Sequence, residues 1–221
     1  MPDHMPISRQ TFADWIAMGR EQSGVEFKGP GPFNSKHLLG KVMRAMIAMA
    51  NHRDGGYVVL GVDEPKEQLI LTGLSQEHRD TWAYSTLADK LSSYADPAVT
   101  FILSELLYQD RLFLILEVDE FADLPILCKK RYDSDLMKDG KKDLLLREGA
   151  CYVRSRYKPE SAEVRGQTEM RELLDLATVK ALRRCLSATS EAGGEVRFPT
   201  ERPAKDQFEE QLHGALGGLG S

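Results

Sequence analysis

Residues 25–64 read VEFKGPGPFNSKHLLGKVMRAMIAMANHRDGGYVVLGVDE, and this stretch sets the architecture. Val25, Glu26, Phe27 and Lys28 alternate apolar and charged, as a half-buried strand does, so Glu26 and Lys28 share one face and Val25 and Phe27 the other. Gly29 to Pro32 is a loop, after which Asn34 or Ser35 caps a helix reaching about Asn51. Leu38, Leu39, Val42, Met43, Met46, Ile47 and Ala50 recur on it at helical spacing, an apolar stripe for a core. Its other side carries His37, Lys41 and Arg44, which can reach phosphates or simply face solvent. Gly55 and Gly56 admit positive φ and release the chain into an apolar strand, Tyr57 to Val62, with Asp63 and Glu64 where it leaves the sheet.

Outward from this unit, Thr11 to Met18 places Phe12, Trp15 and Ile16 on one side of a short helix that Gly19 ends. Leu69 to Thr72 reads as a short strand, and Ser75 opens a helix running to about Tyr94, stopped by Asp96-Pro97. Trp82, Tyr84 and Tyr94 on that helix are read as core or interface rather than as a base-stacking platform. Val99 to Tyr108 and Arg111 to Val118 predict a hairpin, Asp133 to Asp143 a polar mobile excursion, and Leu144 to Leu146 and Cys151 to Ser155 the last strands, bent around Gly149. Thr168 to Leu186 returns to helical spacing. The expected fold is α/β (α+β), a mixed central sheet flanked by helices. One domain is expected over residues 1–186. Residues 187–221 have linker composition and then a short helix or tail, which fits a connection to an additional domain or partner protein.

The 221 residues carry a net charge of −5, against generalised attraction to nucleic acid, but between Lys129 and Arg165 eleven Lys and Arg face seven Asp and Glu. That local excess permits a polyanion-binding face, with Lys129, Lys130, Arg154 and Arg156 as candidates beside Lys41 and Arg44. Three cysteines, Cys128, Cys151 and Cys185, are odd in number and widely spaced, which suggests buried thiols rather than a disulfide framework or zinc ribbon. The absence of a signal-like start and of a long apolar run leads to the expectation of a soluble, cytoplasmic protein without a membrane span.

Chemistry concentrates on carboxylates. Glu21 and Glu26 lie five residues apart, with Phe27 and Lys28 directly after the second, and Asp63-Glu64 ends the later strand. Hard divalent cations take oxygen ligands, and a nearby lysine adds charge aimed at the same phosphate oxygens, so the set is a candidate Mg2+ or Mn2+ site for phosphodiester chemistry. Glu26 and Lys28 alone are weak evidence, because exposed strands alternate Glu and Lys constantly. His37, His52 and His78 show no metal-binding spacing, and no phosphate-binding Gly-rich loop of the Gly-x4-Gly-Lys type occurs. His52 can orient a phosphate or donate a proton, or simply cap a helix end.

Glu21-Gln22-Ser23-Gly24-Val25-Glu26-Phe27-Lys28, the apolar helix ending at Gly56, the strand closing on Gly61-Val62-Asp63-Glu64, and the later Cys151 to Ser155 together resemble the Schlafen core domain and its microbial AlbA-like relatives, over roughly Phe12 to Ala177. The resemblance implies a single Schlafen/AlbA-like lobe and a metal-dependent endoribonuclease acting on structured RNA such as transfer RNA, RNA in preference to DNA. It implies metal ligands at Glu21, Glu26 and Glu64, with Asp63 as alternative third ligand because the family usually has Asp where Glu64 stands, and Lys28 as catalytic partner. Animal Schlafens pair two lobes in a horseshoe, so a homodimer or higher homo-oligomer is expected here. An effector role in microbial antiviral defence and, as the alternative, a non-catalytic nucleic-acid-binding or transcription-regulator module complete the expectations.

Overall fold

The computed structural model describes residues 7–19, 22–65, 68–138, 140–154 and 160–191. Two compact units divide the chain, Met1–Lys180 and Ala181–Ser221. In the first, α1 (Arg9–Ala17), β1 (Val25–Lys28), α2 (Lys36–Ala50), β2 (Gly56–Leu60), β3 (Val62–Asp63) and β4 (Ile70–Leu71) are followed by α3 (Gln76–Asp80), α4 (Tyr84–Ser92) and β5 (Ala95–Asp96). Then come β6 (Phe101–Tyr108), β7 (Arg111–Val118), β8 (Leu127–Cys128), β9 (Tyr132–Lys138), β10 (Lys141–Leu146), β11 (Tyr152–Arg154) and β12 (Ser161–Glu163). The last helix, α5 (Gln167–Glu191), supplies all the described residues of the second unit.

The main sheet has the order β1-β2-β7-β6. β1 and β2 are parallel, with Glu26 opposite Val58 and Lys28 opposite Leu60, whereas β2–β7 and β6–β7 are antiparallel. Parallel neighbours need a crossover, and α2 is that crossover. Ser35 caps it, accepting from the Leu38 N–H, and the predicted stripe packs on Val58, Leu60, Leu114 and Leu116. Alternation sends Val25, Phe27, Val59, Phe113 and Ile115 to the opposite face, where Phe12 and Trp15 of α1 cover them. The fold is therefore α+β with a mixed sheet between helices, as expected.

Three expected elements take a different form. The run Tyr57 to Val62 is not one strand: at Gly61, with φ +106°, the chain turns, its N–H donating to the Lys28 carbonyl at 2.9 Å, and β3 pairs with β4 instead. The helix expected from Ser75 to Tyr94 divides into α3 and α4 because Trp82 turns inward between them and donates from Nε1 to the Gly31 carbonyl at 2.9 Å. The expected excursion at Asp133 to Asp143 is largely the β9–β10 hairpin, paired with two register shifts. Gly40 allows this hairpin close to α2, since a Cβ there would stand 2.5 Å from Leu145 and 2.9 Å from the Tyr132 ring. Of the expected linker and tail, Ser187 to Glu191 continue α5, and residues 192–221 lie outside the described residues. Among the described residues no helix is long and apolar enough to cross a membrane.

Candidate functional site

β1 turns Glu26 away from α1 into a place where it is only 4% exposed. Burial alone would keep such a carboxyl neutral, so its neighbours decide its state. Lys28 Nζ sits 2.6 Å from Oε1, while Arg154 Nη1 and Ser161 Oγ both donate to Oε2. Desolvation raises the Glu26 pKa, but the charges of Lys28 and Arg154 and the hydrogen bonds from Lys28 and Ser161 outweigh it and hold the carboxyl below its usual range.

Arg154 reaches this position because Asn51, at the C-terminal cap of α2, fastens β11 beside that helix. Its Nδ2 donates to the Ile126 and Tyr152 carbonyls, both at 2.9 Å, and its Oδ1 accepts from the Ile126 N–H at 2.7 Å. Two residues beyond Tyr152, the Arg154 guanidinium also donates to the carbonyls of Ser23 at 3.1 Å, Gln22 at 3.0 Å and Val25 at 3.3 Å. It thereby holds the entrance of β1 as well as the glutamate.

More positive charge comes from α2. Burial lowers the Lys41 pKa, and Lys28 and Arg44 lower it further against the opposing charge of Asp143. Arg44 Nε is buried with no hydrogen-bond partner among the described residues. His37, one turn before Lys41, lies 3.1 Å from Ser134 Oγ and 3.9 Å from Asp143. Burial and Lys41 depress its pKa, against the opposing charges of Asp143 and Asp135. Behind Arg154 a cavity of about 480 Å3 is bordered by His52, Arg53 and the α5 carboxylates Glu169, Glu172 and Asp175. Burial and Arg154 lower the His52 pKa too.

The expected site residues thus fall into separate places. Glu26, Lys28 and Arg154 meet directly, and Lys41 lies within the fields of both Lys28 and Arg44. Asp63 lies against the end of β1, its Oδ1 2.3 Å from where a Gly29 Cβ would stand, and its Oδ2 accepts from Thr72 Oγ1 at 2.6 Å. Glu64 follows β3 in an exposed position. Lys129 and Lys130 follow β8, where the Lys129 N–H donates to the Tyr94 carbonyl at 2.7 Å. Glu21 and Arg156 lie outside the described residues. Ser161 went unnoticed in the sequence, because a lone serine in a short strand carries no signal of its role.

The described donors do not fit a divalent cation as arranged. Both Glu26 oxygens are taken by positive or hydroxyl groups, Lys41 and Arg44 add positive charge nearby, and no group of three His, Cys, Asp or Glu among the described residues is placed to hold a metal. The unpaired Arg44 Nε and crowded Lys41 instead suit an anion.

The family model described as Schlafen, AlbA_2 matches residues 21–161. Similar solved structures include the DIP2311 protein from Corynebacterium diphtheriae, with 17% sequence identity, a TM-score of 0.43 and coverage of 69% of this chain and 29% of that one. Another is the N-terminal domain of a protein from Nitrosomonas europaea described as related to the ATP-dependent DNA helicase RecG, with 24% identity, a TM-score of 0.40 and coverage of 59% of this chain and 84% of that one. The chain thus spans less than a third of the C. diphtheriae structure's length. No curated protein matches it. The matched segment runs from the entrance of β1 to the first residue of β12, covers well over half of the chain and takes in Glu26, Lys28, Lys41, Arg44, Arg154 and Ser161: the chain belongs to the Schlafen, AlbA_2 family.

Proposed function

We propose that this chain binds nucleic acid by its phosphate groups at Lys28, Lys41 and Arg44, with the buried Arg154 held behind them by Glu26 and the backbone of residues 22–25. One observation carries the reading: Arg44, whose Nε has no partner among the described residues, stands three residues from Lys41 on α2, a lysine whose charged form burial and then Lys28 and Arg44 disfavour. Both the Lys41 and Arg44 side chains are partly exposed on one side of α2, where phosphate oxygens of a polyanion can meet them. Glu26 then serves as an internal counter-charge that orients Lys28 and Arg154.

Metal-dependent cleavage of structured RNA is the second reading, favoured by Asp63, which brings an acidic side chain against Gly29 at the end of β1. The ion would be Mg2+ or Mn2+, with Glu21, Glu26 and Glu64 or Asp63 as ligands by family resemblance, and Glu26 would have to exchange Lys28 for it. Labelled transfer RNA, single-stranded RNA and DNA, incubated with magnesium, manganese or chelator, separate the readings. Binding in chelator without cleavage supports the phosphate-binding reading. Metal-dependent cleavage that Glu26→Gln abolishes supports the second, and absence of both binding and cleavage ends the two together.

A further inference from the structure

A second site lies on another flank of α2, and it rests on none of the groups around Glu26. A cavity of about 560 Å3 opens between the start of α2, the end of α4 and the start of β9, bordered by Phe33, Lys36, Lys90, Tyr94, Arg131 and Tyr132. Its walls combine aromatic rings with cations. The Tyr94 and Tyr132 rings stand edge to face with centroids 5.3 Å apart, and Lys90 Nζ lies 5.5 Å from the first ring and 5.7 Å from the second. Lys36 and Lys90 make no ion pair with a carboxylate among the described residues, whereas Arg131 is paired with Asp133 at 2.8 Å. Positive charge is therefore left uncompensated beside aromatic surface.

The geometry points to a nucleotide as the ligand of this cavity, its base against the partly exposed Tyr94, which the buried Tyr132 backs, and its phosphate beside Lys90 and Lys36. Either component alone would use half of the site. A bare phosphate leaves the rings unused, and a neutral aromatic compound leaves both lysines without an anion. The volume lies within the usual range for small-molecule sites. Tyr94, expected from the sequence to be core or interface, is half-exposed and supplies ring surface here, whereas its expected companion Trp82 is buried. The same chemistry can arrive as a free nucleotide or as one nucleotide of a bound strand.

Calorimetric titration of the full chain with adenosine 5′-monophosphate, adenosine and inorganic phosphate tests the assignment, together with a single-stranded RNA carrying one 2-aminopurine. Adenosine 5′-monophosphate should bind more tightly than either component. Lys90→Gln should weaken it about tenfold or more, the scale of a charge-assisted hydrogen bond, Tyr94→Leu about tenfold, the scale of stacking one base on an aromatic ring, and Lys90→Arg should recover most of the Lys90→Gln loss. Thermal melts of each variant establish that it folds. Mononucleotide binding with these losses identifies a free nucleotide as ligand. Quenching of 2-aminopurine that Tyr94→Leu and Lys90→Gln abolish, without mononucleotide binding, identifies a nucleotide within a strand. Mononucleotide affinity no greater than that of phosphate, indifference of every binding signal to Lys90→Gln and Tyr94→Leu, or the absence of both signals overturns the assignment. Loss of RNA binding on changing Lys41 or Arg44 does not bear on it.

Discussion

Arg154 and Glu26, 128 positions apart, form an ion pair buried at both ends, with side-chain exposures of 1% and 5%. Such a pair offers modest net stabilisation because both charges lose water, but removing one partner strands the other. Glu26→Leu, which leaves the buried Arg154 without its carboxylate, should therefore lower the unfolding free energy by about 3–5 kcal/mol. Glu26→Leu with Arg154→Met together should be less damaging than Glu26→Leu alone. Denaturant titration of the three proteins checks this; equal losses in the single and double variants would show that the charge left behind is not the cause.

Acid should expose the same pair. Glu26 has a folded pKa below its ordinary value of 4.5, because Lys28 and Arg154 overcome the effect of burial. Its contribution to stability is present in full above that ordinary value and is lost as pH falls through the lower folded one. Glu26→Gln, less stable near neutrality, should show a flatter acid limb below pH 4.5. Melts across that range decide it, and parallel acid limbs would contradict the assignment.

Anions should stabilise the folded chain. Burial, and then the charges of Lys28 and Arg44, disfavour the charged form of Lys41, so an anion that binds beside it raises the melting temperature as its occupancy grows. Inorganic phosphate should produce a rise that Lys41→Gln with Arg44→Gln reduces, at matched ionic strength. A rise of equal size in the double variant would place anion binding elsewhere.

Two glycines with similar backbones should respond differently to alanine. Gly55 has φ +70° and its Cβ would meet the Val118 carbonyl oxygen at 2.1 Å, whereas Gly140 has φ +74° with nothing within 4 Å. Gly140→Ala should cost only the left-handed conformation, about 1–2 kcal/mol. Gly55→Ala should cost more, since the backbone leading into β2 must also move. Chemical denaturation of the two variants compares them directly.

Much of this was legible in residues 25–64. The alternation in Val25 to Lys28 places Glu26 and Lys28 on one face, and the stripe from Leu38 to Ala50 is a core stripe, because local periodicity reports which side is buried. The break at Gly61 was hidden within an apolar run whose composition reads the same on either side of a turn. Pairing across long separations left no mark either: nothing near Glu26 announces Arg154 or Ser161, and the polar β9–β10 hairpin owes its place to the space that Gly40 leaves on α2. The basic residues were legible as a set but not as two groups, since only the fold separates Lys41 and Arg44 from Lys129, whose backbone joins Tyr94.

Nucleic-acid affinity across a salt series tests the central claim most directly, measured in chelator by anisotropy of labelled structured RNA. The wild-type chain should bind, and Lys41→Gln with Arg44→Gln should weaken binding at least about tenfold and flatten the log–log salt slope by about 0.7–0.9 for each phosphate no longer neutralised. Equal affinity and equal slope in the folded double variant would contradict phosphate binding at this cluster.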